Sequence, residues 1–224
     1  SLAKKYRARL HVLHISTAKE TELFENTLPL EQKLITAEAC VHHLWFSDAD
    51  YAQKGNFIKW NPAIKSAADR SGIWEALLDN RIDVIATDHA PHTLEEKNNP
   101  YTTAPSGGPL VQHALLAMLE KAKEGQITLE RIVEKMAHAP ATLFRIKNRG
   151  YIREGYAADL VLVSPTSGAT VDKSNLLYKC GWSPFEGTTF SHQIHSTYVN
   201  GHCVYSQGQI IEGQLGQRLH FEAR

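Results

Sequence analysis

The sequence predicts an α/β protein followed by a β-rich tail, and three observations carry that prediction. The apolar run Val84-Ile85-Ala86 ends abruptly in Thr87-Asp88-His89-Ala90-Pro91-His92. This is the pattern of a buried parallel strand whose C-terminal end opens onto a loop. A second apolar run begins at Leu10, stops at His14 and meets Thr17-Ala18-Lys19-Glu20, a capping-box sequence that starts a helix at once. A strand feeding a capped helix is a βα unit with its working end at the turn. From Gly150 the texture changes: strand-like segments follow one another without βα alternation, and Asn200-Gly201 sits between two of them as a hairpin turn. The boundary falls at 149/150, giving an α/β part over 1–149 and a β-rich part over 150–224.

The bulk numbers narrow the function class. The 224 residues carry 24 basic and 24 acidic side chains and are 42% hydrophobic, which suits a globular protein of one or two domains. Balanced, scattered charge leaves no nucleic-acid footprint and no polybasic membrane patch. Cys40, Cys180 and Cys203 form no C-x-x-C pair, so a disulfide framework is not expected and a reducing, cytoplasmic setting is. No apolar run approaches the roughly 18 residues of a membrane span. Twelve histidines point instead to metal or acid–base chemistry, because several of them fall where strands should end.

Taken in order, Leu10–Thr17 reads as a strand ending at His14. His11 and His14 lie three apart and so face opposite sides of that strand. His14 is the candidate ligand, against the alternative of a histidine satisfied in the core. Leu34–Leu44 reads as a further strand in which adjacent His42 and His43 face opposite ways, with neither favoured as a metal ligand. Residues 47–59 are rich in breakers. Asn61 precedes Pro62 and is biased toward an extended backbone; its amide either reaches a ligand or holds a turn. Ser71–Asn80 places Ile73, Trp74, Leu77 and Leu78 at helical spacing. The polar stretch Thr93–Gly108 is long enough to suggest a functional loop. Its end, at Gly107 and Gly108, either brings backbone N–H groups to a ligand or starts the next helix. Leu110–Lys123 and Leu129–Phe144 read as amphipathic helices with core stripes, Thr128 capping the second. His192, His195 and His202 read as surface residues.

The chemistry concentrates at Asp88 and His92. In α/β barrels the strand C-termini and the loops after them build the active site, so this pair sets a carboxylate and an imidazole at one rim. Such a carboxylate binds a metal or carries a proton. The plain alternative is a helix-capping aspartate beside two surface histidines.

Several segments together resemble the dihydroorotases of the amidohydrolase superfamily, in their C-terminal half. They are Leu13-His14-Ile15-Ser16-Thr17, Glu38 with His42-His43-Leu44, Asn61-Pro62, Thr87 through His92, Gly155 through Val163, Ser183 through Gly187, and Tyr198 through Gly201. The Thr-Asp-His-Ala-Pro-His run is the specific part. The resemblance implies strands six to eight of a (β/α)8 barrel followed by part of a small β-sandwich. It implies a zinc enzyme that interconverts N-carbamoyl-L-aspartate and dihydroorotate in pyrimidine biosynthesis. By position, His14 looks like a zinc ligand. Asp88 looks like a second ligand that also takes a proton from the attacking hydroxide and gives it to the leaving amide nitrogen. Asn61 and His92 look like substrate contacts, helped by backbone near Gly107 and Gly108.

The departures from the pattern are as informative. No His-x-His occurs in the sequence, and the bridging group, a further histidine ligand and the substrate arginine of such enzymes have no counterpart. The expectation is a fragment that is inactive alone, binds zinc poorly, and self-associates or forms a homo-oligomer through open barrel edges. Two other readings stand beside it: a hydantoinase- or allantoinase-type cyclic amidase, and a non-catalytic dihydroorotase-like structural partner.

Overall fold

Three short parallel strands organise the first half of the chain: β1 (Leu10–Val12), β2 (Ile35–Cys40) and β3 (Val84–Ala86), hydrogen-bonded in the order β1-β2-β3. The register sets His11 beside Thr36, Glu38 beside Val84 and Cys40 beside Ala86. The computed structural model describes residues 2–213 and 216–223. The chain divides into two compact units, Ser1–Ala117 with Val171–Thr188, and Met118–Thr170 with Thr189–Arg224.

In the first unit, β2 lies between the other two strands and buries Ala37, Ala39 and Cys40 completely. The helix Ala67–Leu78 buries Ile73, Trp74, Ala76 and Leu77. It starts four residues earlier than the apolar spacing suggested, because the Ser66 hydroxyl accepts from the Asp69 amide and caps it there. Thr17 and Glu20 form the expected capping box. Where the loop after His92 was expected, Thr93 and Glu96 form another, giving a helical turn over Leu94–Lys97.

One expectation is corrected. The strand predicted over Leu34–Leu44 ends at Cys40, and Val41–Trp45 is helical. Val41, Leu44 and Trp45 stand at i, i+3 and i+4, and winding turns them to one side. His42 and His43 therefore do not face opposite ways; both are buried on the same short turn.

At the other end of the strands, Lys33 and Asp83 form a buried ion pair at 2.7 Å. The Lys33 ammonium also donates to the Asn80 carbonyl, and the second Asp83 oxygen accepts from the Ala37 amide. These bonds satisfy charges that would otherwise be costly to bury.

In the second unit, the predicted helix Leu129–Phe144 is interrupted. Leu129–Val133 and Ala139–Leu143 are α-helical, with a π-helical turn over Glu134–His138 between them. Pro140 has no N–H to donate into that turn, so the widened winding is placed beside it. Thr128 caps the helix as expected. The tail is a four-stranded antiparallel sheet in the order β4 (Leu160–Thr170), β5 (Thr189–Val199), β6 (His202–Ser206) and β7 (Gln209–Ile210). Pro165 sits in the outer strand β4, just before a register shift, where a missing donor is tolerated. Asn200 and Gly201 take φ of 51° and 82° and close the two-residue turn between β5 and β6. His195 and His202 are exposed and His192 is half-buried. Among the described residues no helix is long and apolar enough to cross a membrane.

Candidate active site

His14 and Asp88 each stand two residues beyond the end of a parallel strand, and each has a left-handed backbone, with φ of 37° and 45°. Non-glycine residues rarely adopt that conformation, and they do so where the surroundings over-determine it. For His14 the surroundings are Glu38 on β2. Its carbonyl accepts from Ile15 N at 2.9 Å, and its carboxylate takes the His14 amide at 3.4 Å. The same carboxylate accepts from His11 Nε2 at 2.9 Å, while His11 Nδ1 lies 2.9 Å from the Thr36 hydroxyl. His11 is thus a supporting residue, and His14 is left with a buried Nδ1 that has no hydrogen-bond partner.

Asp88 is half-buried. Burial pushes its carboxyl above the ordinary value; the nearby His14 opposes this and Glu38 adds to it. A carboxylate whose proton affinity is raised in this way is suited to accept and return a proton.

The segment after Asp88 is tied down by its own polar atoms. His89 Nδ1 accepts from the amides of Leu110 and Val111, which gives that histidine a structural role. His92 donates from Nε2 to the Ser106 carbonyl at 3.0 Å, and its own carbonyl accepts from Trp182 Nε1 at 2.7 Å. The 93–108 stretch is fastened from inside by two lysines. Lys97, fully buried, donates to the carbonyls of Pro105 and Gly107, and Lys59 to those of Tyr101 and Ala104. Gly107 has φ of 120°, and a Cβ there would lie 2.6 Å from the Ala90 carbonyl. Its amide is committed to the Lys59 carbonyl at 2.8 Å, and Gly108 is bridged to His89, its carbonyl accepting from Ala90 N at 3.2 Å. Asn61 is exposed and precedes a cis peptide bond to Pro62.

A second group of side chains gathers where β2 turns into its helix. Cys40, His42 and His43 are all buried, and one ligand atom from each lies within 4.8 Å of the others. His42 stacks on Trp60 at 4.3 Å between ring centroids, and His43 Nε2 donates to the Pro62 carbonyl. Burial drives the His42 pKa well down, with His43 and His14 adding to the effect. Burial likewise brings His43 to about 4. Both rings are neutral at pH 7.

The amidohydrolase family profile matches residues 4–204. The chain belongs to the amidohydrolase family. This amidohydrolase chain is 33% identical over 216 residues to a dihydroorotase from Pyrococcus furiosus, covering 96% of the chain and 50% of that protein. It is 39% identical over 180 residues to a dihydroorotase from Halobacterium salinarum, covering 80% of the chain and 41% of the relative. Among solved structures it is similar to the L-hydantoinase (dihydropyrimidinase) of Arthrobacter aurescens. The TM-score is 0.88 at 30% identity, over 97% of this chain and 49% of that one. The amidohydrolase chain therefore spans about half the length, or less, of the relatives it matches.

Glu38 and the Cys40–His42–His43 group are the residues that reading the sequence did not assign. Glu38 acts across to a neighbouring strand, which no local pattern reveals. The C-x-H-H spacing was visible, but its meaning depended on the helical turn.

Proposed function

We propose that this chain is the C-terminal half of a dihydroorotase, a zinc-dependent cyclic amide hydrolase that interconverts N-carbamoyl-L-aspartate and dihydroorotate in cytoplasmic pyrimidine synthesis. The observation that carries the reading is the matched placement of His14 and Asp88, both left-handed, just past the C-terminal ends of parallel strands on either side of Glu38. The dihydroorotase relatives support it at 33% and 39% identity. In this reading residues 1–149 are strands six to eight of a (β/α)8 barrel with their helices, and 150–224 belong to a β-sandwich beside it.

The residues fit zinc in part. His14 offers a buried, unpartnered Nδ1 and Asp88 a half-buried carboxylate, a donor set suited to the ion but one short of the three protein ligands a catalytic site uses. When bound, the ion supplies an acidified water and polarises the amide carbonyl. The chain's own part is to hold and move protons and to orient the ring. Asp88 takes the proton of the attacking water and returns it to the leaving amide nitrogen. His92, its Nε2 anchored on Ser106, and the exposed Asn61 amide bind the substrate carboxylate and ring, with the backbone near Gly107 and Gly108 beside them. Glu38 holds His14 in register.

Because the donor set is incomplete, the chain alone is inactive, and the missing ligands come from a preceding half of the barrel. Leu10 and Leu13, at the outer strand β1, are 45% and 55% exposed; this apolar edge supports self-association of the isolated chain. Light scattering that found a compact monomer would count against that part.

The deciding experiment compares the 224-residue chain with a longer chain carrying a His-x-His half, assayed on dihydroorotate, hydantoin, allantoin and dihydrouracil. Turnover of dihydroorotate by the longer chain alone is the expected result. The L-hydantoinase likeness at 30% identity favours a second reading, a hydantoinase-type amidase, and preference for hydantoin would select it. A folded longer chain that turned over none of the four would leave a non-catalytic partner.

A further inference from the structure

We propose that Cys40, His42 and His43 form a metal site of their own, beside the His14–Asp88 pair, that takes a thiophilic divalent cation of the zinc type through one sulfur and two imidazole nitrogens. The three residues are 0%, 0% and 2% exposed, and their ligand atoms lie within 4.8 Å of one another. Neither ring nitrogen of His42 makes a hydrogen bond of good geometry, although the Thr87 backbone lies beside it, and His43 Nδ1 makes none. Buried polar atoms are nearly always paired, so three bare nitrogens around one thiol call for an explanation. A cation supplies one partner for the thiol and for one nitrogen of each ring.

The local fold presents the donors. Cys40 ends β2 as the N-cap of the turn Val41–Trp45, and both histidines lie within that turn. Each ring is held from behind. His42 stacks on Trp60 with 9° between planes, and His43 donates from Nε2 to the Pro62 carbonyl at 3.1 Å. That bond fixes the proton on Nε2 and leaves the Nδ1 lone pair unprotonated and without a partner, the state in which ligating histidines are held. With metal–sulfur and metal–nitrogen bonds of about 2.3 and 2.0 Å, tetrahedral donors stand about 3.3–3.6 Å apart. The present spacing, within 4.8 Å, shortens by up to about 1.2–1.5 Å on closing around an ion. Binding breaks the Cys40 S–H bond, releases its proton to solvent and forms a sulfur–metal bond. The neutral imidazoles give lone pairs, and no electron is transferred. A sulfur with two imidazoles selects zinc-like ions over magnesium or calcium.

The site does not depend on the dihydroorotase reading, and the test keeps the two apart. Cobalt(II), added to the metal-free 224-residue chain, gives a near-ultraviolet sulfur-to-cobalt charge-transfer band only where a thiolate is a ligand. The His14–Asp88 pair contains no sulfur. The expected result is a band saturating at one equivalent, retained in Asp88→Ala and in Cys180→Ser/Cys203→Ser, and lost in Cys40→Ser. His43→Gln should weaken cobalt binding at least tenfold. Zinc-edge X-ray absorption of the unmodified chain should give one sulfur at about 2.3 Å and two imidazole nitrogens at about 2.0 Å, a readout that needs no variant to fold. A folded chain with no charge-transfer band, a band that survives Cys40→Ser, or a zinc shell without sulfur would overturn the proposal.

Discussion

His14 and Asp88 are equivalent in position: each is the second residue past its strand, and each has φ near 40°, at 37° and 45°. The chain leaves β1 and β3 through the same kind of backbone kink, and the two candidate side chains ride on it.

The first prediction concerns Asp88. In a longer chain that carries the missing ligands, Asp88→Asn keeps the size but cannot take a proton. It should lower kcat by about 10²–10⁴, as measured by steady-state hydrolysis of dihydroorotate. An unchanged kcat would remove Asp88 from proton transfer.

How much of this was readable beforehand depended on the range of the interaction that decides each residue. His14 and Asp88 were legible because an apolar strand that stops at a polar residue is a local pattern, as were the caps at Thr17 and Thr128. The turn Val41–Trp45 was not: a short apolar run suits strand and helix alike, and the choice is made by what buries Val41, Leu44 and Trp45. Glu38, named only as part of a matching segment, was given no role because its partners, His11 and His14, lie 27 and 24 residues away. Lys59 and Lys97 fasten the loop through main-chain carbonyls, partners that no residue pattern marks.

The second prediction addresses the buried ion pair. Asp83→Ala strands the Lys33 ammonium and should destabilise the chain by about 3–5 kcal/mol. Lys33→Met combined with Asp83→Leu should recover most of that loss. Urea unfolding of the three proteins measures both, and equal losses in single and double variants would refute the account.

A third prediction follows from His113, which is 2% exposed and brought from 6.5 to about 4 by burial. The folded value lies below the unfolded one, so the unfolded chain takes up the proton first as pH falls. Stability is intact above about pH 6.5 and is lost progressively toward pH 4, by about 3 kcal/mol for a shift of this size. His43, also at about 4, acts in the same window. His113→Asn should remove roughly half of the decline between pH 7 and 4.5 in urea melts. An unaltered pH slope would show that His113 does not carry it.

The fourth prediction tests the close approach at Gly108. A Cβ there would lie 2.7 Å from the Trp60 ring, so Gly108→Ala should cost about 1–3 kcal/mol through overpacking. It should also quench or shift Trp60 fluorescence. A variant as stable as the parent would mean the ring yields freely.

The tie between Trp182 and the His92 carbonyl spans 90 residues of sequence. During synthesis at about 5–20 residues per second, the ribosome needs roughly 5–18 s after making His92 to reach that tryptophan. Lys97 and the rest of the 93–108 stretch follow within about 1–3 s, and from then on the strands, their helices and the lysines can assemble while the loop lacks its last fastening. The newborn chain thus passes through an interval in which the loop after Asp88 is made but unlatched, and a stop or frameshift between residues 108 and 182 would leave it so permanently.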